Sequence, residues 1–262
     1  LVDAPEDSAV PERAMLKAYS LLDAQRLANR FQLDWQFVQP SELPNSDAAS
    51  ESNALRKKWG HYLGATLYYE GEWYWGIDRL HHLEDRLNDL GLGQTNVNAH
   101  LFPATQYAHC QITPQNTSID FFFSFRSPYS AISAAKIFHW AHQAGVNIKL
   151  RYVLPMVMRG LPVPAEKRKY IILDAAREAY VQGVPFGRLN DPVGKPTERG
   201  LALMPFAEMH NLAEDYVMSF MQGVWSEGLD AGLDSHLKII VERAGLNWTA
   251  AKDILRSQSN EA

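Results

Sequence analysis

The chain has 262 residues, 46% of them hydrophobic and 21% charged, enough for one large domain or two modest ones with a real core. A net charge of −5 argues against broad binding to nucleic acid or to an anionic membrane, and no apolar run approaches the ~20 residues that a membrane helix needs. The single cysteine, Cys110, excludes an intrachain disulfide and a Cys-x-x-Cys couple and fits a reducing compartment, the cytoplasm.

The opening "LVDAPEDSAVPER" is acidic and Pro-containing and does not read as a signal peptide. Residues 12–31 place Met15, Leu16, Tyr19, Leu22, Leu27 and Phe31 at helical spacing. The stretch "QPSELPNSDAASESN" (39–53) is polar and without period, and reads as a loop or linker. Two aromatic-rich runs around Glu70-Gly71 in "TLYYEGEWYW" (66–75) predict a tight hairpin. A helix over 76–91 follows, with Ile77, Leu80, Leu83, Leu87 and Leu90 on one face, Asp78 in its first turn and Gly91 as its stop. This is a ββα unit, and residues 92–118 read as a connector.

A second unit begins with the aromatic strand "IDFFFSF" (119–125), continues in a helix from about Pro128 to Ala144, and returns as "VNIKLRYVL" (146–154), which alternates at period two. A strand, helix and strand with this crossover length predict a βαβ unit with parallel strands. From Pro164 onward the pattern is helical: "EKRKYIILDAAREAYVQ", "TERGLALMPFAEMH", "AEDYVMSFMQGVWSEG", "DSHLKIIVERAG" and "TAAKDILRSQ". A βαβ unit and a ββα unit are the material of a thioredoxin fold, in which βαβ comes first. Here the order is reversed, so either two such domains are each represented in part or the halves form a permuted whole.

The turn "SFRSPYSAIS" (124–133) carries two readings. Ser127 is a preferred helix cap and Pro128 suits the first helical position, where its missing N–H costs nothing. The same helix start offers free N–H groups and the positive end of the dipole, which favour an anion, a thiolate included. A free thiol has a pKa of about 8.5, and lowering it by about two units takes roughly 2.7 kcal/mol of preference for the charged form. No cysteine stands at this turn, so the thiol would have to be brought in.

"DFFFSFRSPYS" followed by a helix resembles the DsbA-like thioredoxin-fold family, and is most similar to 2-hydroxychromene-2-carboxylate isomerases and kappa-class glutathione transferases. In the disulfide oxidoreductases of the group this turn is Cys-Pro-x-Cys; here it is Ser127-Pro128-Tyr129-Ser130. The resemblance extends through "VLPMVMRGLPVPAEKRKYIILDAAREAYVQGVPFGR" (153–188), which enters the family's helical insertion, and "WGIDRL" (75–80) resembles an element of the family's closing ββα unit. It implies an α/β, thioredoxin-like (DsbA-type) fold with a large α-helical insertion. With it come a partial thioredoxin-like unit expected over residues 1–91, a βαβ unit over 119–154 and the insertion over 155–262. It implies glutathione as cofactor, with Ser127 catalytic and interacting with its thiol, and Pro128, Tyr129, Ser130, Thr66, Asp78, Arg79 and Arg159 as binding residues. Ala65 stands where the family carries a cis-proline, and a non-proline residue there implies a trans bond.

The function that follows is a glutathione-dependent isomerase or transferase acting on a small unsaturated aromatic carboxylate. The alternative is a relative of the thiol-disulfide oxidoreductases that has lost its cysteines and serves as a binding module. The expected partners are a small-molecule substrate, with no nucleic acid and no membrane, and with room for a homodimer. His139 and His142, three apart on a helix, and the pairs His81-His82 and His109-Cys110 lack a third ligand pattern, so no metal is expected. Glu166-Lys167-Arg168-Lys169 reads as a solvated helix start, with Lys167 and Arg159 as candidate contacts for carboxylates. Gly183-Val184-Pro185-Phe186 reads as a turn between helices.

Overall fold

The computed structural model of the chain describes residues 13–34, 46–93, 100, 101, 103, 104 and 117–261. Cys110, His109 and most of the connector lie outside the described residues. The chain forms two compact units, one comprising Leu1–Tyr107 with Leu161–Tyr170, the other Ala108–Gly160 with Ile171–Ala262. No described helix is long and apolar enough to cross a membrane.

The first unit opens with α1 (Arg13–Arg30) and α2 (Ser46–Trp59). Helix α1 follows the sequence pattern, but its apolar stripe faces outward, with Met15 73% and Tyr19 57% exposed. Helix α2 corrects the loop reading of 39–53, whose residues 39–45 lie outside the described set. Periodicity could not reveal it, because this helix is polar nearly all round and has no apolar stripe. Among its described side chains only Arg56 is buried, and Nη1 of Arg56 donates to the His61 carbonyl at 2.6 Å.

The hairpin pairs β1 (Thr66–Tyr69) with β2 (Glu72–Trp75), placing Thr66 opposite Trp75 and Tyr68 opposite Trp73. Glu70 and Gly71 join them with φ of 41° and 90°, the sign that a type I′ turn requires and that glycine adopts without penalty. One hairpin face joins an aromatic cluster: His61 lies 4.8 Å from both Trp73 and Tyr170, ring to ring. On the other face Tyr74 is buried, and its hydroxyl donates to Glu72 at 2.8 Å. Arg86, on α3 (Leu80–Asp89), is paired with the same carboxylate at 3.0 Å.

In the second unit β3 (Ser118–Phe123) and β4 (Asn147–Tyr152) pair in parallel, Phe121 opposite Leu150, and α4 (Pro128–Ala144) crosses between them. Alternation sends Phe121 and Phe123 to the core and Asp120 and Phe122 to the surface. Seven described elements complete the unit or pass into it. They are a 3-10 turn (Met156–Arg159), α5 (Ala165–Gln182), α6 (Lys195–Ala202), α7 (Met204–Met209), α8 (Ala213–Trp225), α9 (Asp234–Arg243) and α10 (Trp248–Glu261). The single helix read over 197–210 is divided at Leu203, because Pro205 in the first turn of α7 has no N–H to continue the α6 ladder.

The core joins β3 and α4 to the later helices. Phe125 and Phe220, both fully buried, pack with ring centroids 4.0 Å apart and planes tilted by 32°. Helix α6 comes close enough to them only because residue 200 is glycine: a Cβ there would lie 2.6 Å from Phe220 Cε2 and 3.1 Å from Phe125 Cδ2. Tyr216, on α8 and fully buried, donates from its hydroxyl to the Gly200 carbonyl at 3.1 Å. Arg243 ties α9 to α8, donating to the Ser219 carbonyl at 2.7 Å and pairing with Glu227 at 2.6 Å.

Two outcomes follow for stability. Gly200→Ala forces aromatic rings apart in a filled core and lowers unfolding free energy by about 1–3 kcal/mol, read as a fall in the denaturation midpoint; an unchanged midpoint would refute the packing described. Burial pushes the Tyr216 hydroxyl above its ordinary pKa, against the opposing pull of Arg199. Below about pH 10 the tyrosine is protonated folded and unfolded, and its contribution is complete. Above that only the unfolded form ionises, so stability falls by up to about 1.4 kcal/mol per pH unit for this group. Tyr216→Phe therefore shows a shallower alkaline decline than the parent; parallel declines would contradict it.

Candidate functional site

Strand β3 ends at Phe123, two residues before the reach that alternation predicts, because the chain turns there. The Ser127 N–H donates back to the Ser124 carbonyl at 2.9 Å. Ser127 then caps α4: its φ and ψ of −93° and 114° are extended, and its Oγ accepts from the Ser130 N–H at 3.2 Å, with Pro128 in the first turn. The Ser127 carbonyl accepts the Ala131 N–H at 3.1 Å. Both hydroxyl roles predicted for Ser127 are sterically compatible, since a capping Oγ uses only its lone pair. Among the described residues its own hydroxyl proton has no acceptor.

Two more serines belong to the same turn. Ser130 Oγ accepts from the Ser124 N–H in a long 3.4 Å contact. Ser124 Oγ is buried, with no partner among the described residues. A buried hydroxyl without a partner is uncommon in a folded protein.

Three side chains from the later part of the unit hold the turn. Trp225 Nε1, at the end of α8, donates to the Phe125 carbonyl at 3.0 Å. Arg126 donates from Nε and Nη2 to both carboxylate oxygens of Asp191, each at 2.7 Å, the planar two-point match that suits a guanidinium. Tyr129 donates from its hydroxyl to Oδ2 of Asp174 at 2.8 Å, and Arg177 donates to Oδ1 at 3.0 Å. Asp174 is 1% exposed. Neither Asp174, Arg126 nor Asp191 stood out in the sequence, because their partners lie 45 and 65 residues away.

Ser127, Pro128, Tyr129 and Ser130 thus share one helix start in the second unit. Arg159 lies in the same unit, exposed, in the 3-10 turn that follows β4. Because β3 and β4 are parallel, both that turn and the α4 start follow the carboxyl ends of their strands. Thr66, Asp78 and Arg79 belong to the first unit. Thr66 is the first residue of β1, and Asp78 and Arg79 lie in a 3-10 turn (Ile77–Arg79) where they pair with each other at 2.6 Å. Ala65 follows a trans bond, as expected, and adopts φ 57°. Lys167 stands over the Tyr62 ring at 5.5 Å, and burial holds its amine below the ordinary lysine pKa. His142 is paired with Glu214 at 2.9 Å.

The chain matches no curated protein. Among solved structures it is similar to a 2-hydroxychromene-2-carboxylate isomerase, at 22% identity over 55% of this chain and 73% of that one, with a TM-score of 0.47. It is also similar to a "probable DsbA oxidoreductase" from Streptomyces coelicolor, at 16% identity over 54% of this chain and 68% of that one, with a TM-score of 0.41. Residues 118–262 match the family described as DSBA-like thioredoxin domain. That span holds β3, the capped turn, α4, β4 and every helix after them. The chain belongs to the DsbA-like thioredoxin family, an α/β fold carrying here a large α-helical insertion.

Proposed function

We propose that the chain is a glutathione-dependent isomerase or transferase whose α4 start receives the glutathione sulfur. The observation that carries this reading is the cap itself. Ser127 Oγ is held by the Ser130 N–H at 3.2 Å, which fixes the oxygen and leaves its proton to donate to an incoming anion. The helix N-terminus adds its dipole. Donors of this kind suit a thiolate.

The residues of the turn fit the thiol end of the tripeptide. For its carboxylates, Arg159, the sequence candidate of this unit, is exposed, whereas Arg126 is committed to Asp191. Glutathione, when bound, supplies a nucleophilic sulfur to an activated double bond. Ser127 orients that sulfur and favours its ionised form, while Trp225, Asp191 and Asp174 keep the turn from shifting. The resemblance of the turn to that of the 2-hydroxychromene-2-carboxylate isomerases points to an unsaturated aromatic carboxylate as substrate. Autonomous disulfide exchange does not fit, since Ser127 and Ser130 occupy both sulfur positions.

Ser127→Ala tests the reading on two counts. Loss of the cap lowers stability by about 1 kcal/mol. Calorimetry with ultraviolet detection of the bound thiolate shows glutathione binding to the parent and loss of the thiolate signal in the variant, as the pKa of the bound thiol rises by about one unit or more. Equal thiolate signals would remove Ser127 from the chemistry, and absence of binding at millimolar glutathione would leave the turn a cap and the chain a binding module.

A further inference from the structure

We infer that Asp174 is a positioning residue which, acting through Tyr129, fixes the orientation of the first turn of α4. The inference rests on the thiol-site reading above only in its chemical consequence; its geometry stands alone. Tyr129 is the second residue of α4, between the capping Ser127 and the Ser130 whose N–H the cap accepts. Its ring packs in a small apolar cluster with Ile132, Ala175, Ala179, Val184 and Phe186. Its hydroxyl is fixed by Asp174 at 2.8 Å and its carbonyl by the Ser133 hydroxyl at 2.7 Å.

A residue held at ring, hydroxyl and carbonyl cannot swing its own peptide planes. Those planes carry the first N–H groups of the helix, and a reacting atom misplaced by about 1 Å forfeits much of what orientation contributes. The carboxylate is suited to the task because, ionised, it only accepts, so Tyr129 must donate and its hydroxyl can point one way. Arg177, at 3.0 Å, supplies the countercharge that a buried carboxylate requires. Tyr129, a binding residue by the family resemblance, thus turns its hydroxyl to Asp174, and the service of that hydroxyl to the site is indirect.

The test uses the full chain and needs no glutathione. Tyr129→Phe removes one hydroxyl, keeps the ring and leaves the net charge unchanged. Amide hydrogen exchange at Ser130 and Ala131 is expected to accelerate by about tenfold in this variant, with α8 amides unaffected. Asp174→Ala should accelerate the same two amides, and the double variant should go no further, since both changes cut one link. In a Ser127→Cys background the introduced thiol is expected to titrate below the free value of about 8.5, and Tyr129→Phe to raise it by about half a unit, roughly threefold in the thiolate-to-thiol ratio.

Unchanged exchange at Ser130 and Ala131 in Tyr129→Phe overturns the inference, even if melting temperature falls, because the link would then be a buried contact with no hold on the turn. Additive acceleration in the double variant overturns it too. Accelerated exchange together with an introduced thiol titrating at about 8.5 upholds the positioning role of Asp174 while refuting the thiolate site, so the two readings fail separately.

Discussion

The turn between β3 and α4 is gripped from three sides, and the chemistry read from it depends on that grip. Trp225 holds the Phe125 carbonyl, Asp191 holds the Arg126 guanidinium and Asp174 holds the Tyr129 hydroxyl. Each partner comes from the helices or loops after β4. A helix start alone presents loose N–H groups that water satisfies as well as any ligand. Fixed before a ligand arrives, the same groups spare the cost of ordering at the moment of binding. The helical insertion therefore has a structural task at the site beyond any it has in forming a pocket wall.

The cap shows why one arrangement admits two readings without conflict. Capping uses the lone pair of Ser127 and satisfies the Ser130 N–H; stabilising an anion uses the proton of the same hydroxyl. A helix gains stability from the first, and under the proposed function a bound sulfur would gain acidity from the second. Cysteine at this position would supply the sulfur within the chain. Serine offers a hydrogen-bond donor in its place, and under the proposed function the sulfur comes with the ligand.

Much of the second unit was legible in the sequence because its signals are local. The run from Ile119 to Phe125, the Ser127-Pro128 cap and the alternation from Val146 to Leu154 mark strand, helix and strand, and β3 and β4 do pair in parallel. The hairpin at Glu70-Gly71 was legible for the same reason. Helix α2 was not, since a helix with no buried apolar stripe looks like a linker to any test of periodicity. Pro205 divides what reads as one helix. The apolar spacing of α1 gave the helix but not its burial, because period reveals a face and not what covers it. The clamps on the site were invisible: Asp174 is one carboxylate among thirty acidic residues, and nothing local tells that its partner is Tyr129.

The central claim is that the α4 start is a site for a thiol ligand and not a cap alone. Backbone amide chemical shifts recorded while glutathione is titrated into the full chain test this most directly. The account predicts saturable changes that are largest from Ser127 to Ala131 and extend to Ser124. Changes confined to residues away from this turn, or none at millimolar glutathione, would contradict it.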